Sequence, residues 1–146
     1  MQNPPPVQTA PAPPVQSAPG KSSTGLDENI AALLSYIFGW VSGLIFFLIE
    51  KDSRLVRFHA MQSLLYNVLV AIVFIVLWVV LFVLWMIAAQ ISGALTGLLT
   101  ILSTLLWVVI FIAVTIGWIF CLIKAFQSQY FKLPVIGNFA EKFSQK

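Results

Sequence analysis

Sixty-four consecutive residues, Ala60 to Ile123, contain no Asp, Glu, Lys or Arg, and most of them are aliphatic or aromatic. A bilayer core of roughly 30 Å is crossed by about 20 helical residues. The stretch is therefore too long for one crossing and long enough for two joined by a turn. The whole chain is 60% hydrophobic and 9% charged, against about 25% charged in a soluble domain. This pattern implies an all-α, polytopic integral membrane protein. The net charge of +3 does not point to nucleic acid, because the basic residues flank apolar runs instead of sharing one soluble face. Their natural counter-charge is anionic lipid headgroups, each such contact contributing about 1 kcal/mol near the surface.

Three apolar runs follow a tail. Residues 1–26 hold seven of the eight prolines and read as a disordered, proline-rich tail. The first run, NIAALLSYIFGWVSGLIFFLI, covers Asn29 to Ile49, with Asp27 placed as helix N-cap. Its length favours a span, while Gly39 and Gly43 are the positions where it can break into two half-helices that dip in and return. The second run covers Leu64 to Ala89, with a helix that counts from Val56, and the third covers Leu98 to Ile123, separated by the turn-like AAQISGALTG. Three transmembrane helices over 27–126 are the expectation. Residues 127–146 form a polar C-terminal tail in which Phe139 and Phe143 suggest a short amphipathic segment on the headgroups.

Orientation follows the Lys/Arg bias of short loops. Lys51, Arg54 and Arg57 lie in the first loop, Lys124, Lys132, Lys142 and Lys146 in the C-terminal segment, and none in the turn at 88–97. Both basic segments, loop 50–59 and the C-terminus, are expected on the cytoplasmic side of a bacterial inner membrane. A three-span path puts the N-terminal tail on the other side. If the first run re-enters, only that tail changes sides.

Two stripes of small residues at fourfold spacing are candidates for close helix packing: Ala31, Ser35, Gly39 and Gly43, and Ala113, Gly117, Cys121 and Ala125. Self-association, or a contact between the two stripes within one chain, is expected from them. The second run carries a polar stripe at its charged end. Arg54, Arg57, His59, Gln62, Ser63 and Asn67 are the candidate site for a lipid headgroup or a partner polypeptide. The plainer reading is that the arginines fix topology, that Glu50 pairs with Arg54, and that His59 bonds locally.

No paired carboxylates, Ser-His-Asp set, HExxH or phosphate loop occurs, so no enzyme, catalytic residue, metal or cofactor is expected. Cys121 alone makes neither a disulfide nor a zinc site. The order GLDENIAALLSYIFGWVSGLIFFLIEKDSRLVRFHAMQSLL, two apolar spans, then IKAFQSQYFKLPVIG resembles a family of small prokaryotic membrane proteins. That family is related to the twenty-kilodalton Tic subunit of chloroplast protein import. VRFHAMQS carries the most specific part, at Val56, Arg57, Phe58, His59, Ala60, Gln62 and Ser63. The expected function is a non-enzymatic component that binds or helps to place other polypeptides in the bilayer, with the Arg57–His59–Gln62 face as its contact. A small oligomeric channel, with Thr100, Ser103 and Thr104 facing water, and a membrane-stress or peptide-immunity protein are the alternatives.

Overall fold

The computed structural model describes residues 20–134 and 136–144, so the tail expected at residues 1–19 lies outside the described residues. Among the described residues five helices follow in order: α1 (Glu28–Ile37), α2 (Trp40–Ile49), α3 (Arg54–Ile91), α4 (Gly93–Phe126) and α5 (Gly137–Ser144). The described residues contain no strand beyond one isolated bridge, Lys21 to Asp27.

Helices α3 and α4 form a long antiparallel hairpin. Ser53 caps α3 by accepting from the Val56 amide at 3.2 Å. A single residue, Ser92, both ends α3 and starts α4, and its hydroxyl accepts from the Leu95 amide at 3.1 Å. At 38 and 34 residues, the two helices run about 57 and 51 Å. In a soluble protein the most apolar helical stretch is the most buried. Here the relation is inverted: the most apolar window of α3 buries 0% of its residues and that of α4 6%. Helices apolar all round and left uncovered by protein are built for lipid. Two helices can therefore cross the membrane.

The first run does not form the single span-length helix expected from the sequence. Gly39 takes φ +60° and ψ −129°, a conformation an L side chain resists, and the run divides there into α1 and α2. Each half is ten residues, about 15 Å and half a hydrocarbon core. The chain on either side of the run meets again. The Ser23 amide donates to the Glu50 carboxylate at 3.0 Å and its hydroxyl donates at 2.7 Å. The two half-helices therefore form a hairpin whose flanks meet, in place of one continuous helix. Gly43, the other position where a break was considered, stays helical.

A break at membrane depth is tolerated only if its backbone groups find partners in protein. They do. The Ser42 hydroxyl accepts from the Phe38 amide at 3.1 Å and lies 3.0 Å from the Ser35 carbonyl oxygen, to which it donates. Ser63 of α3 donates to the Gly39 carbonyl at 3.2 Å, and the Trp118 indole of α4 donates to the Tyr36 carbonyl at 3.1 Å. The hairpin's tip is thus fixed to both long helices.

The sequence also placed residues 20–26 in the disordered tail, and here the structure corrects it. Gly20 to Asp27 closes a turn, with the Ser22 amide bonded to the Leu26 carbonyl at 2.8 Å and the Glu28 amide to the Gly20 carbonyl at 2.9 Å. Gly25 supplies the left-handed position at φ +80°. Low apolar content made this piece look unfoldable, but backbone bonds and the Glu50 contact hold it.

Candidate functional site

The charged stretch between α2 and α3 winds around one carboxylate. Glu50 is fully buried and accepts from the amides of Ser23, Asp52 and Ser53 and from the Ser23 hydroxyl, at 2.7–3.1 Å. Burial pushes its carboxyl pKa up, but the hydrogen bonds from Ser53, Ser23 and Asp52 outweigh that and hold it below the ordinary 4.5. The expected Glu50–Arg54 pair does not form. Instead Arg57 donates through Nη1 to the Glu50 carbonyl at 3.2 Å and lies 5.2 Å from the Phe47 ring centroid. Arg54 is exposed. The reason is geometric: amides clustered at the start of α3 offer the carboxylate several directed donors, where Arg54 offers a mobile one.

Two turns along α3, His59 joins three segments. Its Nε2 lies 3.1 Å from the Gln129 carbonyl and its Nδ1 3.2 Å from the Tyr36 hydroxyl. A carbonyl only accepts, so Nε2 carries the hydrogen, and in the neutral ring Nδ1 accepts from Tyr36. The imidazole thereby ties α1, α3 and the segment after α4. Phe58 and Tyr36 pack against it edge-on, with centroids 5.2 and 5.9 Å away. Gln62 is fully buried, donates weakly to Cys121 Sγ at 3.8 Å, and leaves its Oε1 without a partner. Ser63 reaches the Gly39 carbonyl, and Asn67 donates to the Ser63 carbonyl at 2.8 Å.

The polar stripe of α3 is therefore covered by this chain's own α1–α2 hairpin and C-terminal segment. Among its six members, His59, Gln62 and Ser63 are buried, Arg57 and Asn67 are half-buried, and Arg54 alone is exposed. The small-residue stripes divide. Ala31, Cys121 and Ala125 meet in one apolar cluster with Ala32, Tyr36 and Val56. Ser35 is buried and bonds back to the Ala31 carbonyl. Gly39 and Gly43 face α3 instead of α4: a Cβ at Gly43 would come 3.0 Å from the Ala60 carbonyl oxygen, and one at Gly39 3.1 Å from Asn67 Oδ1. Gly117 makes room for Tyr66, whose hydroxyl donates to the Val114 carbonyl at 2.6 Å. Ala113 lines the shallow groove beside that contact.

Sequence reasoning passed over Ser23, Tyr36, Ser42, Trp118 and Gln129. Ser42 carried a visible signal, a hydroxyl inside GWVSG beside the break. The others are joined to their partners across 23 to 82 residues, and no local spacing reveals that.

Comparison with known proteins bears on the same stretch. A family model described as the magnetosome magnetite crystal formation protein family matches residues 26–140. The chain belongs to this family. A UPF0132 membrane protein of Methanocaldococcus jannaschii is 40% identical over 133 residues, covering 86% of this chain and 96% of the relative. A second from that organism is 34% identical over 123 residues, covering 82% and 71%. One from Archaeoglobus fulgidus is 34% identical over 122 residues, covering 80% and 95%. Their names describe membrane proteins and no further activity. No solved structure matches the chain. The family match takes in both half-helices, the Glu50 loop, His59 and the first half of α5.

Proposed function

We propose that this chain is a non-enzymatic membrane component that holds or positions membrane polypeptides, a second copy of itself included, through the lipid-facing sides of α3 and α4. One observation carries the reading: most polar groups of the α3 stripe are bonded within the chain, while past Asn67, among the described residues, the two long helices pack on each other. Phe74 meets Trp107 with centroids 4.9 Å apart, and Trp85 bonds to Thr100 at 3.2 Å. Ile72, Ile75, Val76 and Trp78 remain at least half exposed. Such a surface accepts apolar helices without a polar penalty, and close helix packing in lipid rests on shape. The cytoplasmic membrane of a prokaryote is the proposed location, with loop 50–59 and the C-terminus cytoplasmic by the distribution of Lys and Arg. The family description, which concerns magnetite crystals, offers a setting in which membrane components must be organised.

The channel alternative draws less support. Thr96, Thr100, Ser103 and Thr104 each donate to a carbonyl one turn back in their own helix, at 2.8–3.0 Å. Satisfied this way, the hydroxyls need no water-filled pore.

A photo-crosslinking residue at Val76, introduced into the full chain in its native membrane, tests the proposal. Discrete polypeptide adducts are expected at Val76 and none at Gln62. Adducts to lipid alone at Val76 would overturn it.

A further inference from the structure

The molecule is wider at one end, and the width is confined to one half of its length. The α1–α2 hairpin meets α3 at Val56, His59, Ser63 and Asn67, and α4 at Trp118, Cys121 and Ala125. Arg54 to Asn67 is about 21 Å of helix, and Val68 to Ile91 a further 36 Å or so without those neighbours. The α1–α2 hairpin is about 15 Å deep, one leaflet of a core of roughly 30 Å. At the same end Gln129 and Tyr130 meet His59 and Phe58 of α3, and the α5 that follows them packs on α3. It buries Ala140 and Ser144 and leaves Phe139 and Phe143 exposed by 58% and 48%. Lys51, Arg54, Lys124, Lys132 and Lys142 also lie there.

From this we infer that the protein is a one-leaflet wedge that settles preferentially in curved membrane, with its broad basic end on the convex face. A helix 10–12 Å across occupies roughly 80–110 Å² of membrane, so two half-helices add about 160–220 Å² to one leaflet only. The leaflet holding α1 and α2 must therefore be locally larger than the opposite one, and a bilayer meets that demand by bending away from it. The exposed Phe139 and Phe143 extend the same asymmetry into the headgroup layer, where amphipathic helices respond to curvature. The inference needs the re-entrant first run and is independent of any polypeptide partner.

The test places the full chain, as Asn138→Cys in a Cys121→Ala background, in phosphatidylcholine–phosphatidylglycerol vesicles. One set is small and sonicated, the other large and extruded. Asn138 is exposed on α5, so an impermeant maleimide reports which way each molecule faces. The ratio of outward- to inward-facing α5 is expected to rise about twofold or more in the small vesicles. An equal ratio in both sizes overturns the wedge. Phe139→Ser/Phe143→Ser changes only exposed side chains and should keep most of the bias. Complete loss of bias in that variant assigns curvature preference to α5 alone and also overturns the wedge.

Discussion

Replacing Gly39 by alanine is the sharpest perturbation of the fold. Two effects oppose the new side chain. Backbone at φ +60° and ψ −129° is open to glycine and costs other residues about 1–3 kcal/mol. The added Cβ would also stand 3.1 Å from Asn67 Oδ1, a distance the amide relieves by moving a few tenths of an ångström. The backbone effect dominates, because Asn67 can yield and φ cannot without undoing the Ser42 and Ser63 bonds. Gly39→Ala should therefore lower the unfolding free energy in mixed micelles by about 1–3 kcal/mol. Repeating it in an Asn67→Ala background separates the two effects, and most of the loss should persist there. Full stability of Gly39→Ala would mean that residues 29–49 do not break at this glycine, and the reasoning would fail. Loss confined to the Asn67-containing background would show crowding, not strain, as the cause.

Glu50 ties the N-terminal turn to the α2–α3 loop, and its lowered pKa fixes the sign of the pH effect. Its contribution is fully present above 4.5 and disappears as pH falls through the lowered folded value; limited proteolysis between residues 20 and 27 should accelerate there, and Glu50→Gln should flatten that acid limb. Gly137→Ala would set a Cβ 2.7 Å from the Lys132 Cα, so α5 should undock and hydrogen exchange at Ala140 should rise, with α1–α4 unaffected. Ser42→Ala with Ser63→Ala strips the hydroxyls that satisfy the break, and orphaned buried backbone groups cost about 1–3 kcal/mol each. Micelle unfolding should show a loss larger than either single change.

Much of the architecture was legible because lipid imposes simple rules. A charge-free stretch of 64 residues specifies two long helices, and the composition at 88–97 locates their turn. Phe139 and Phe143 at fourfold spacing foreshadow α5. The first run was harder, since twenty-one mostly apolar residues satisfy the length rule for a span. What folds it into a hairpin is Ser23 meeting Glu50, 27 residues apart, together with hydroxyls that bond the broken backbone. Gly43 looked like Gly39 in the sequence, yet its missing side chain serves close approach to the Ala60 carbonyl. The polar stripe of α3 was visible from spacing. Its occupant was not, because Tyr36 and Gln129 reach His59 from distant segments.

The path of residues 29–49 decides the most, and side-specific labelling of single cysteines in intact cells and inverted vesicles measures it directly. Exposed positions Thr24, Lys51, Gly93 and Asn138 serve as probes, each in a Cys121→Ala chain. A re-entrant run predicts that positions 24, 51 and 138 react from one side and 93 from the other. Labelling of position 24 together with 93, opposite 51, would show that the first run crosses the bilayer and contradict the fold described above.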